Sequence, residues 1–225
     1  MHRSIHSYPL RFFHSAVTGQ LLCAVSIVFM LQANIGTSPW NVLKQGLSSA
    51  SGMSFGAIDV FLNVVIILTA VLLGERIGFG SLFCVFLPGP VIDFILRREL
   101  IPLQSTLPGG LLFLGIGMEL MGLSTWIYMR EELGEGPRDA LMVALSRKTG
   151  KSAGFCRVFL DGAVVTLGWL LGGQVGIGTI ASMFGIGTCI GLTFRAAGID
   201  PKKLHQEDLA KTLANLHPGK KHSRS

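Results

Sequence analysis

The sequence predicts an all-α membrane protein of about six transmembrane helices, arranged as two inverted three-helix repeats that each carry a short Pro-led helix. Three observations predict it. Of 225 residues, 49% are hydrophobic and only 14% charged, against about 25% charged in a soluble domain, and mean hydropathy is +0.55. Apolar runs of roughly 18 residues, enough to cross a bilayer, recur along the chain. A gapless pairing of Gly36–Arg97 with Gly134–Arg195, offset by 98 positions, makes 20 of 62 pairs identical, seven of them glycines. A shared apolar bias does not align glycines. Three spans per repeat is an odd number, so the second copy enters the membrane upside down, as in many secondary transporters.

The spans read as His14–Asn34, Ser54–Leu73, Gly80–Leu96, Gly109–Met129, Gly154–Leu171 and Gly176–Phe194. Residues 1–13 form an N-terminal arm, 14–98 the first membrane repeat, 109–196 the second and 197–225 a basic tail. The first span follows Arg3 and Arg11, but it is long for a cleaved leader, lacks a small-x-small site and has a counterpart in the fourth span. Lys and Arg placement orients the bundle. With the N-terminus inside, one side collects Arg3, Arg11, Arg76, Arg130, Arg138, Arg147, Lys148, Lys151 and the tail, and the other only Lys44, Arg97 and Arg98. Both termini are then cytoplasmic. The net charge of +6 suits anionic lipid at the cytoplasmic face of the bilayer. No nucleic-acid-binding motif accompanies it.

The stretches "GTSPWNVLKQGLSSASGMSFG" and "GEGPRDALMVALSRKTGKSAG" are the same part in two copies. Ser38 is a candidate N-cap, Pro39 stands where its missing N–H is harmless, and Gly52 and Gly150 are left-handed stops. About 13 residues give roughly 20 Å, too short for a core of about 30 Å. Trp40, Leu43 and Leu47 form one apolar stripe, with Asn41, Lys44, Gln45 and Ser48 facing elsewhere. The nearly uncharged first copy reads as re-entrant. The second, with Arg138, Arg147 and Lys148, reads as interfacial.

"GTSPWNVL", "GLSSASGMSFG" and "GERIGFGS" resemble the YczE/YyaS/YitT group of bacterial membrane proteins, from the first span to the last. The resemblance implies a bacterial plasma (inner) membrane location and a multi-span helical fold, and supplies no reaction or substrate. It also implies an acid after Pro-Trp. Asn41 stands there in the first copy, while Asp139 keeps the acid in the second.

Ionisable groups inside spans are costly and mark candidate pathways. Glu119 stands mid-way in the fourth span, and the expected placement is the bundle interior. It is the first candidate for proton coupling, against a protonated carboxyl bonded to a neighbouring helix. Arg157 and Asp161 share a face of the fifth span at i, i+4, and their counterparts are Asp59 and Asn63 in the second. That face either looks into the bundle or holds a self-neutralising ion pair. Asp93 and Arg97 make a similar pair, expected to snorkel at the interface. Pro88, Gly89 and Pro90 should interrupt the third span, and the counterpart segment Phe184–Gly191, with Thr188, should be interrupted likewise. Paired interruptions point to a midplane site, although small residues also serve tight packing.

Several sharper motifs reduce to structure. Both repeats match G-x-S-x-G, at Gly52–Gly56 and Gly150–Gly154, but a nucleophile elbow needs a preceding strand, a histidine and an acid. The expected roles are helix stop, cap and close packing. Gly78/Gly80 and Gly176/Gly178 are turns. Cys23, Cys84, Cys156 and Cys189 make no C-x-x-C pair and imply no metal or cofactor. Asp200-Pro201 starts an expected short surface helix in the tail. The sequence therefore favours a transporter or exporter of an unknown small molecule, homo-oligomeric if it self-associates, over a non-transporting scaffold or regulator, and over an enzyme. No ATP-binding motif is seen, so coupling would come from an ion or a partner.

Overall fold

The computed structural model describes residues 8–74, 79–129 and 136–198. Among them lie nine helices and no strand: α1 (Tyr8–Gln32), α2 (Pro39–Ser51), α3 (Phe55–Leu72), α4 (Phe79–Phe86), α5 (Pro88–Arg97), α6 (Leu107–Met129), α7 (Pro137–Thr149), α8 (Ala153–Leu170) and α9 (Ile177–Ala196). Four of them, α1, α3, α6 and α9, are long and apolar enough to cross a membrane, and α7 with α8, bent by 117°, makes a fifth if taken as one. Expectations placed on Arg3, Arg76, Gly78, Arg130 and the tail from Asp200 lie outside the described residues.

The third expected span is divided. α4 ends at Phe86, and α5 starts with Pro88 in its first turn. Each proline removes one helical hydrogen bond, which is enough to break the segment at Leu87. The counterpart Phe184–Gly191 is not interrupted, contrary to expectation, and runs unbroken through α9. Gly185, Gly187 and Gly191 lower helix propensity but keep their N–H groups, so the ladder survives.

The two copies of the repeat build the same corner. Gly52 (φ 72°) and Gly150 (φ 69°) end α2 and α7 in the left-handed region, donating N–H to the Ser48 and Ser146 carbonyls. Ser48 and Ser146 hydroxyls then donate to the Met53 and Lys151 carbonyls, each at 2.6 Å. Ser54 and Ser152 cap α3 and α8 by accepting from the Ala57 and Phe155 N–H groups. These are the helix-stop and cap roles expected of G-x-S-x-G.

The centre is the antiparallel pair α1 and α6. Ser26 donates to the Gly117 carbonyl at 2.8 Å, and Ser124 donates to the Gly19 carbonyl at 2.8 Å. Between them Cys23 and Met121 bring their sulfurs to 4.0 Å. Each of these residues meets a partner standing at, or symmetrically about, the 98-residue offset. Gly117 permits the approach, since a Cβ there would lie 2.6 Å from Met30 Cγ. Ile27, Met30, Leu31, Ile92, Ile95 and Leu114 form the apolar core around this crossing.

The short helices exchange partners: α2 packs on α8 and α7 on α3. Gly46 sits against Gly168, where a Cβ would lie 2.3 Å from the carbonyl oxygen. At one end of the bundle Gln104 N–H donates to the Gln32 carbonyl (2.9 Å) and Gly178 N–H to the Ile35 carbonyl (2.8 Å). The end of α1, the start of α6 and the start of α9 therefore share one side. Arg147 reaches the Leu73 carbonyl at 3.4 Å on the other.

Candidate functional site

The corner at Gly52 folds α3 back along α2, so residues 15 apart in sequence face each other. Lys44 Nζ donates to Asp59 Oδ1, and both side chains are 1% exposed. One turn along α3, Asn63 Nδ2 donates to Asp59 Oδ2 at 3.1 Å. Both carboxylate oxygens are thus engaged, as a buried charge pair requires. Sequence reasoning placed Asp59 and Asn63 on an inward face, and both are buried. It missed Lys44, naming it only among the polar residues that face away from the apolar stripe of a re-entrant helix. The polar stripe of α2 is in fact turned inward: Asn41 is 1% exposed and Lys44 0%. The available signal was the polar i, i+3 pair Asn41 and Lys44 on a helix that has no other charge.

This triad borders a cavity of about 160 Å³. Polar groups from four elements reach it: Gln20 of α1, Lys44 of α2, Asp59 of α3 and Ser124 and Thr125 of α6. Cys23, Ile27, Met121 and Tyr128 supply apolar wall, and Pro88 closes one side where α4 breaks into α5. The first turn of α7, Gly136 to Arg138, forms another border.

Beside it the N-terminal ends of α2 and α7 meet. The Arg138 guanidinium carbon lies 5.3 Å from the centroid of the Trp40 ring, a cation–π contact. These two residues are counterparts at the 98-residue offset. Trp40 Nε1 also donates to Asp161 Oδ1 at 3.1 Å. The N-cap of α2, Ser38, makes no side-chain capping bond among the described residues, and that of α7 is Gly136. Asn41 Nδ2 donates to Thr37 Oγ1 at 3.3 Å, while its Oδ1 has no partner among the described residues.

Other candidates lie elsewhere. Arg157 stands 3.9 Å from Asp161, but its side chain is 50% exposed, so the pair leans outward from α8. Glu119 is not in the interior. It stands on the exposed side of α6, beside Cys189 of α9. The face of α6 turned to α1 is set by Gly110, Leu114, Gly117 and Ser124, and residue 119 lies about 200° from residue 117 on a helical wheel. Thr188 is also exposed and donates to its own helix, at the Phe184 carbonyl (3.0 Å). Pro90 is exposed, and Gly89 packs on Gly56. Asp93, expected to pair with Arg97, instead accepts from the Ser54 hydroxyl and, at 2.8 Å, from the Gly56 N–H. It pins the start of α3 to α5.

Residues 11–195 match a family of unknown function, DUF6198. An uncharacterized protein of Haemophilus influenzae is 31% identical over 175 residues, covering 76% of this chain and 79% of its own. The uncharacterized membrane protein YczE of Bacillus subtilis is 27% identical over 164 residues (72% and 75%). YyaS of the same organism, also uncharacterized, is 29% identical over 169 residues (73% and 83%). No solved structure is significantly similar. With its apolar helices and its kinship to YczE and YyaS, this helical membrane protein belongs to DUF6198.

Proposed function

We propose that the protein is a small-molecule transporter or exporter of the bacterial plasma membrane, built from two inverted repeats with both termini cytoplasmic. One observation carries the reading. In the first repeat Gly56 and Gly89 bring α3 and α5 into backbone contact, such that a Cβ on Gly56 would lie 2.0 Å from the Gly89 carbonyl oxygen. Among the described residues, nothing lies within 4 Å of a Cβ on their counterparts, Gly154 and Gly187. The same parts are therefore held closed in one repeat and open in the other. Exchanging the two arrangements yields a second state of similar packing, which is what alternating access needs.

The antiparallel hydroxyl bonds between α1 and α6 support the inversion. α2 and α7 are half-length helices that enter from opposite sides and meet at Trp40 and Arg138. Single cysteines at Ser49 and Lys148, with native cysteines replaced, should label from opposite faces of the membrane. In the same background Gly154→Cys with Gly187→Cys should cross-link during turnover and halt flux in vesicles. Labelling from one face would remove the inversion, and a pair that never cross-links would remove the exchange.

A partner-binding role is favoured by one feature, the Glu119 carboxyl on the exposed side of α6 near Leu112, Ile116 and Leu123. A carboxyl on the exposed side of a helix, with the weakly donating Cys189 thiol beside it, favours a further helix that offers a stronger donor. Full flux by a dispersed monomer would set that role aside.

A further inference from the structure

The described side chains that border the cavity beside Lys44 carry more positive than negative charge. Among the described residues that border it, Lys44 and Arg138 are cationic and Asp59 is the carboxylate. Asp59 already accepts from Lys44 and Asn63 with its two oxygens, so it offers little to an incoming cation. Arg138 is held differently. Its guanidinium lies over the Trp40 ring, and the residue borders the cavity. A guanidinium carries parallel N–H donors matched to a carboxylate. The first turn of α7 borders the same space.

Size and wall set the rest. A protein cavity of about 150 Å³ accommodates benzene, so 160 Å³ suits roughly ten non-hydrogen atoms or fewer. Cys23, Ile27, Met121 and Tyr128 give the wall an apolar side. Asp59 neutralises Lys44, so the charge left for a ligand is that of Arg138, which Asp161, held by the same Trp40, offsets in part; that suits a single negative charge and not a dianion.

We infer that this cavity binds a small organic monoanion, a short-bodied carboxylate, with its charge at Arg138 and its apolar end against Met121 and Tyr128. The inference rests on the transport reading for the role of the cavity, but binding is measured apart from flux.

The test uses the full chain in detergent, titrated calorimetrically with butyrate and benzoate, with the amides butyramide and benzamide, and with butylammonium. The carboxylates should bind at least about tenfold more tightly than their amides, a difference of about 1.4 kcal/mol, and butylammonium should not bind. Arg138→Gln should bring the carboxylates down to the level of the amides, while Arg138→Lys, which keeps the charge, should retain part of the difference. Melting temperature in detergent establishes that each variant is folded. If Arg138→Gln does not fold, the wild-type comparison and Arg138→Lys carry the test. Equal binding of amide and carboxylate, tighter binding of butylammonium, or no binding by any of the five overturns the inference. Carboxylate binding without carboxylate flux in vesicles leaves it standing and removes the transport reading. Flux of other solutes with no carboxylate binding does the reverse.

Discussion

α2 and α7 begin with the same proline and stop at the same left-handed glycine, yet they do different work. α2 is sunk in the bundle, with Asn41 and Lys44 almost wholly buried. α7 buries Pro137, Ala140 and Ala144 but leaves Arg147 and Lys148 exposed. The contrast extends to their neighbours. Lys44 has Met142 as its counterpart, Asp59 has Arg157, and Asn63 has Asp161. In the first copy the charges neutralise each other between α2 and α3. In the second the partner of Asp161 inside the protein is Trp40, which belongs to the other copy. The conserved parts of the repeat are backbone devices, namely stops, caps and contact glycines. The parts that differ carry charge, and they distinguish which copy holds its helices together.

The sharpest break of this contrast is at Lys44. Replacing it with methionine, the residue of its counterpart, strands Asp59 in a buried site. Removing one member of a buried pair costs about 3–5 kcal/mol, so Lys44→Met should sharply lower the denaturation midpoint in detergent. The double variant Lys44→Met with Asp59→Leu should recover most of that loss. Arg157→Ala should cost under about 1 kcal/mol, because Arg157 is half-exposed and Trp40 still holds Asp161. If the self-neutralising ion pair were the whole of the site, Asp161 would depend on Arg157, and the Trp40 contact removes that dependence. A large loss for Arg157→Ala together with a small one for Lys44→Met would invert the comparison.

A smaller effect separates the glycine pairs. Gly56→Ala forces a methyl group against the Gly89 carbonyl and should cost about 1–3 kcal/mol as overpacking. Gly154→Ala meets open space and should hold or raise stability, by up to about 1 kcal/mol from helix propensity. Equal losses at both positions would mean that α8 and α9 spend most of their time closed, which would erase the asymmetry.

The repeat, the stops and the caps were legible because glycine, proline and serine act within a few residues of themselves. Gly52, Ser54, Gly150 and Ser152 do what local chemistry dictates. The broken third span was legible for the same reason, since Pro88 and Pro90 cannot complete a helical ladder. What was not legible depended on which face of a helix a neighbour covers. Lys44 looked like one of several polar residues facing away from an apolar stripe until α3 folded back onto it. Glu119 looked interior because a carboxyl in an apolar run is costly anywhere, and cost alone does not say which way a side chain points. The glycines of α6 decide that, by choosing the face that α1 approaches. Thr188 failed in the same way, because glycines in α9 loosen the helix without breaking it.

The smallest predicted effect tests where the two copies should agree. Ser26 and Ser124 are counterparts at the 98-residue offset, and each donates at 2.8 Å to a glycine carbonyl on the opposite helix. Those carbonyls belong to continuous helices, so losing a hydroxyl strands no donor and leaves only a second lone pair unused. Interhelical bonds of this kind inside a membrane protein average about 0.6 kcal/mol. Serine to alanine also gains a few tenths in helix propensity. Ser26→Ala and Ser124→Ala should therefore each shift stability by less than about 0.5 kcal/mol, and by the same amount within error. Denaturation midpoints of the two single variants measure this directly. A loss above about 1.5 kcal/mol in one and none in the other would show that the charge asymmetry reaches the α1–α6 crossing itself. In that case the two copies would not share an axis there, and the proposed exchange of open and closed arrangements would lose its pivot.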